Sequence, residues 1–287
     1  MKINYWIASL CIIGGILLAT DTPKNKRGVK RSLEQTDVPI EQPRSIRDIF
    51  FQELQDNNMD LIKALLRTRP EMINAQDHEG NTPLIKAIQN PDLIDAADYF
   101  IRRPQLNINL QNRYGATALM VAAEELDSDD RLFSDIFVIP DLNVDIQGID
   151  GRNALFFAVQ KNKLPLLNRL LAESTTHLNT PVGSMRLTPL IVAADKGYIE
   201  IVSRLLQVTG ININASTSNG LSALRAAASA SNDRIHLVIA QLLLDNGAAI
   251  NAADKEGHTA LWYATRYLKE DAKKNMQNLL MRYGAKE

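Results

Sequence analysis

Cysteine is nearly missing from this chain of 287 residues. Cys11 is the single one, so no intramolecular disulfide can form, and with four histidines no Cys-rich zinc site can be assembled. A chain with no thiol pair to oxidise does not report its redox compartment. A surplus of either charge is missing too. The 32 Lys+Arg stand against 33 Asp+Glu, a net charge of -1, which removes the global basic field that gathers nucleic acid. The basic run Pro23 to Arg31 reads as a solvated or membrane-flanking segment, and no nucleic-acid partner is expected. Glycines do not cluster, so there is no phosphate-cradling loop and no dinucleotide fingerprint. His78, His177, His236 and His258 have no paired spacing, which speaks against a metal site or a His-based dyad. Glu124 with Glu125 and Asp129 with Asp130 read as solvated charges. No catalytic residue, cofactor or metal is expected, and the chain reads as non-enzymatic. Hydrophobic residues at 45% and charged residues at 23% are globular values, which excludes wholesale disorder and a polytopic membrane protein.

Charge is also absent from Ile3 to Ala19, inside MKINYWIASLCIIGGILLAT (residues 1–20). Such a stretch reads as an export signal or a membrane anchor. As a helix it is about 25 Å long, at the lower limit for a hydrocarbon core of about 30 Å. Ala19 suits the residue before a cleavage, Leu17 suits it less, and the basic flank favours an anchor whose carboxyl side stays cytoplasmic. Leu10 before Cys11 does not fit a lipoprotein signal. An exported protein, secreted or periplasmic, is the favoured expectation over a single-pass anchored one, and membrane association would run through Ile3 to Ala19. Residues 21–44 are polar, with Pro23, Pro39 and Pro43, and read as a disordered tether.

From residue 45 onward the sequence repeats. GNTPLIKAI (80–88), GATALMVAA (115–123), GRNALFFAV (151–159), MRLTPLIVAA (185–194), GLSALRAAA (220–228) and GHTALWYAT (257–265) align. Leu84, Leu119, Leu155, Leu190, Leu224 and Leu261 are spaced 35, 36, 35, 34 and 37 residues apart. Three residues after each leucine stands an alanine: Ala87, Ala122, Ala158, Ala193, Ala227 and Ala264. Gly permits positive φ before the helix, Thr or Ser caps its start, and Pro suits the first turn. Leu and Ala at i, i+3 share one face, and the small Ala lets a neighbouring helix approach closely. A second apolar helix follows, as in IEIVSRLLQ (199–207) and HLVIAQLLLD (236–245). A single pair of helices cannot bury its apolar face, so the units must stack into a solenoid.

These residues resemble the ankyrin repeat, with its period of about 33 and its Gly-x-Thr-Pro-Leu-His-x-Ala-Ala core. The closing element appears as GAAINA (247–252), INA (73–75) and GININA (210–215). The resemblance covers residues 45–287 and implies an all-α ankyrin-repeat solenoid of about seven helix-turn-helix units. The first, residues 46–77, is divergent and supplies two helices without the Thr-Pro-Leu core. The family's His after Leu is replaced by Ile85, Met120, Phe156, Ile191, Arg225 and Trp262, so its polar ladder between repeats is expected to be missing. Insertions near residues 127–134, 229–234 and 267–274 lengthen repeats three, six and seven, and the first is the most acidic segment.

What remains for function is a surface. Stacked hairpin tips and the exposed sides of the first helices form the extended concave face on which solenoids bind. The positions before the recurrent alanine are Lys86, Val121, Phe157, Val192, Ala226 and Tyr263, and those two after it are Gln89, Glu124, Gln160, Asp195, Ser229 and Arg266. Phe157, Tyr263 and Arg266, with Tyr114 at a hairpin tip, are the candidate anchors for a protein or peptide partner. The alternative expectation is a membrane-tethered scaffold or spacer without a dedicated ligand.

Overall fold

A computed structural model describes residues 44–126, 131–230 and 233–286. The leader, Cys11, the tether up to residue 43 and the acidic residues 127–130 lie outside the described residues. Among the described residues, no helix is long and apolar enough to cross a membrane.

The architecture is all-α. Among the described residues fourteen α-helices pair into seven repeats: α1 (Ile46–Gln55) and α2 (Met59–Thr68), α3 (Pro83–Ile88) and α4 (Ile94–Ile101), α5 (Ala118–Glu125) and α6 (Arg131–Ile136), α7 (Ala154–Gln160) and α8 (Leu164–Glu173), α9 (Pro189–Lys196) and α10 (Ile199–Leu206), α11 (Ala223–Ser229) and α12 (Asp233–Asp245), and α13 (Ala260–Tyr267) and α14 (Glu270–Arg282). The divergent first unit folds as the expected helix pair. The insertions of repeats six and seven lead into second helices of 13 residues each.

The odd-numbered helices from α3 to α13 start for the same local reason. Thr82, Thr117, Asn153, Thr188, Ser222 and Thr259 each accept a hydrogen bond from the backbone amide three residues on, satisfying a donor the helix start leaves open. Pro83 and Pro189 stand at the first helical position. Just before, Gly80 and Gly115 take φ of 78° and 74°, and a Cβ on either would lie under 3 Å from the next hairpin's backbone. In repeat five this register is held by Arg186, at φ 58°, a conformation that costs a non-glycine residue about 1–2 kcal/mol.

Each odd helix buries against the next odd helix, and α8, α10, α12 and α14 follow one another in the same way. The recurrent leucines are at most 5% exposed and all six recurrent alanines are fully buried, because Ala is small enough for the neighbouring helix to close over it. The even helices complete the core with one stripe each, such as Leu166, Leu167, Leu170 and Leu171 of α8.

Polar bonds between repeats replace the missing histidines. Hairpin backbones join in series: Arg113 N to Glu79 O at 2.9 Å, Ile149 N to Tyr114 O at 3.1 Å, Gly183 N to Asp150 O at 2.9 Å and Ser218 N to Met185 O at 3.0 Å. At the other end of the units, asparagines use both ends of the amide. Asn74 donates to Gln105 O and accepts from Asn107 N, Asn109 does so with Asp141 O and Asn143 N, and Asn179 with Gly210 O and Asn212 N. Gln76 and Gln111 each donate to their own hairpin and to the carbonyl of Gln111 and Gln147. The position of the family's histidine is filled by other residues, and Asn and Gln side chains elsewhere in each unit form an amide ladder between repeats.

Candidate interaction face

Hairpin tips and odd helices carry the variable side chains. Tyr114 projects from its tip with 67% exposure. Asp150 and Gly151 form the following tip, where Arg152 lies with its guanidinium 5.3 Å from the centroid of the Phe157 ring. Phe157 is 7% exposed, so it forms a floor under Arg152 and offers little surface of its own. Val121, Val192 and Ala226, at the same helical position, are also buried, whereas Lys86 and Tyr263 are half-buried. The row two residues after the alanine faces solvent more: Gln89, Asp195 and Arg266 are exposed, and Glu124, Gln160 and Ser229 half-buried. The four candidate anchors are thus spread along the array, with Tyr263 and Arg266 alone sharing a helix.

Repeat seven gathers the aromatic residues. His258 stacks on Trp262 with ring centroids 3.6 Å apart, Tyr263 meets Trp262 edge-on at 5.2 Å, and Tyr263 stacks with Tyr267 at 5.7 Å. Tyr267 is 61% and Trp262 37% exposed. Beneath them lies a charged cluster invisible to the spacing argument. Arg225 is 2% exposed, and its Nη1 donates to His258 O at 3.1 Å and stands 3.6 Å from Asp254, whose side chain is 1% exposed. Asp254 also accepts from the Tyr263 hydroxyl at 2.7 Å and from the amides of Glu256 and His258. Burial alone would raise the Asp254 pKa, but the Tyr263 hydroxyl, the two amides and Arg225 together hold it below the ordinary carboxylate value. The same hydrogen bond, reinforced by burial, pushes the Tyr263 phenol up to about 12. The only signal in the sequence was Arg225, a charge in a row otherwise apolar up to that repeat.

Asp254, Glu256 and His258 bring potential ligand atoms within 4.8 Å of one another. Both Asp254 oxygens are already engaged and a buried guanidinium faces them, so the set is better matched to pairing with Arg225 than to a divalent cation. At the other end, a groove of about 470 Å³ between repeats one and two is lined by Asp48, Phe51, Asp77, His78 and Lys86. Its one lysine is already paired: Lys86 lies 3.8 Å from Asp77, and the His78 ring lies 3.7 Å from Asp48.

Comparison with known proteins agrees with this architecture. The family profile described as "Ankyrin repeats (3 copies)" matches residues 51–132 and 130–217, and the profile "Ankyrin repeat" matches 219–255. The chain is 42% identical over 59 residues to the poly [ADP-ribose] polymerase tankyrase of Caenorhabditis elegans, a match to 20% of this chain and 3% of that protein. It is 31% identical over 161 residues to the ankyrin repeat protein YahD of Escherichia coli (strain K12), covering 54% of this chain and 76% of that one. Among solved structures, the ankyrin repeat domain of Bcl-3, a member of the IkappaB protein family, superposes with a TM-score of 0.63 at 20% identity, over 81% of this chain and 97% of that one. With profile matches running through more than half of its length, this chain belongs to the ankyrin repeat family.

Proposed function

We propose that the repeat domain is a non-enzymatic module that binds a protein or peptide partner along the concave face built from hairpin tips and odd helices. The observation that carries this reading is the split between rows. The Leu and Ala rows that build the stack repeat almost without change, whereas the row ending in Arg266 runs through Gln89, Glu124, Gln160, Asp195 and Ser229. A side chain that varies in chemistry from unit to unit on a solvent-facing line is free to specify a partner. Tyr114 and Tyr263 are the aromatic anchors, Arg266 the cationic one, and Phe157 supports Arg152 from below.

The test is a pull-down from extract of the native source with the full chain. The parent is expected to recover a discrete partner that the combined Tyr114→Ala, Tyr263→Phe and Arg266→Ala variant loses, while retaining parental helical circular dichroism. Undiminished recovery would remove the proposed face. The uncharged run Ile3 to Ala19 motivates a second reading, in which an exported or membrane-anchored array serves as scaffold or spacer with no dedicated ligand. Under it, parent and variant recover the same material.

A further inference from the structure

In repeats two to five, the residues one and four positions after the recurrent leucine are covered by the following repeat: Ile85 and Ile88, Met120 and Ala123, Phe156 and Val159, Ile191 and Ala194. In repeat six the same pair is Arg225 and Ala228, still buried. In repeat seven it becomes Trp262, 37% exposed, and Thr265, exposed. A small Ala that lets a helix close in is replaced by a polar residue, and the space beside it is a groove of about 420 Å³ between α13 and α14. Leu261, Trp262 and Met281 form its apolar part, and Gln277 donates to Thr265 across it at 3.4 Å. Arg266 and Lys286 flank it, and among the described residues no carboxylate lines it. Neither cation is in an ion pair among the described residues, unlike Lys86 in the groove of repeats one and two.

We propose that this groove docks a segment of a partner protein in which an apolar side chain stands beside carboxylates. The apolar side chain would rest on Leu261, Trp262 and Met281, and the carboxylates would meet the forked guanidinium of Arg266 and the ammonium of Lys286. Charge complementarity selects this occupant: an apolar floor alone would accept any hydrophobic segment, and two unmatched cations at its edge prefer an acidic one. The proposal rests on the reading of the domain as a protein-binding module and assigns one part of it a ligand chemistry.

The probe is the fluorescein-labelled peptide Gly-Glu-Glu-Leu-Phe-Glu-Glu-Gly, titrated against the full chain by fluorescence anisotropy. Its counterparts have Gln for Glu, Lys for Glu, or Ser for Leu and Phe. The acidic apolar peptide is expected to bind, more weakly as salt rises, with the Gln and Ser counterparts about tenfold weaker or more. The R266E/K286E double variant, whose two positions are outside the core, is expected to lose about tenfold or more toward the acidic peptide and to gain the Lys counterpart. Equal binding of acidic and Gln peptides, equal binding by the double variant, or no binding at millimolar peptide would overturn the groove assignment. So would a dimer in sedimentation that W262A dissolves, since the occupant would then be a second copy. Each of these leaves the broader reading to the pull-down, where loss of the partner on Tyr114→Ala with retention by R266E/K286E would separate the two.

Discussion

Arg225 shows what one residue can do to a stack. Its position holds Ile or another apolar side chain in the five other repeats of the row, and here a guanidinium takes that place with its Nε hydrogen left without a partner. The pair it forms with Asp254 is asymmetric. Asp254 keeps the Tyr263 hydroxyl and two backbone amides if Arg225 is removed, whereas Arg225 without Asp254 keeps little besides His258 O. Asp254→Ala is therefore expected to cost about 3–5 kcal/mol, and Arg225→Met, which keeps the apolar stem, under about 2 kcal/mol, both read by urea denaturation. The reverse order would mean that the cation, and not the carboxylate, organises the cluster. Because the folded Asp254 pKa is depressed, its contribution is complete above the ordinary carboxylate value of about 4 and is lost as pH falls through the lower folded value. Spacing exposes Arg225 as a departure in its row but not Asp254, since the two meet only across a repeat boundary.

At the level of elements, the contrast is between contacts within a unit and contacts between units. The cap, the Leu and the Ala of α3, α5, α7, α9, α11 and α13, with the Pro of α3 and α9, are neighbours in sequence, so spacing alone identifies them, and each sits where that spacing implies. The amide ladder could not be recognised that way. Asn179 satisfies its carbonyl on Asn212 N and its amide on Gly210 O, partners more than thirty residues away whose proximity exists only after stacking. Asn179→Ala, which removes both bonds, is expected to cost about 1–2 kcal/mol, and Asn179→Asp, which keeps the acceptor, roughly half of that. Hydrogen exchange should show the loss in repeats five and six before the first two. A uniform loss across all repeats, or none, would show that the ladder does not couple neighbours. The same distinction explains Phe157: its helical position was readable, but its cover by Arg152 from the preceding tip was not.

For the described repeat array as a whole, stability comes from neighbour-on-neighbour burial, and function is left to what that burial does not consume. The Leu and Ala rows and the even-helix stripes are spent on the core, so the hairpin tips and the solvent-facing row of the odd helices remain for a partner. Hydrogen exchange of the intact chain, with and without the partner recovered by pull-down, tests this most directly. Exchange is expected to slow at the tips around Tyr114 and Asp150 and along α5, α7 and α13, with α8 and α10 unchanged. Slowing confined to the even-numbered helices would contradict it.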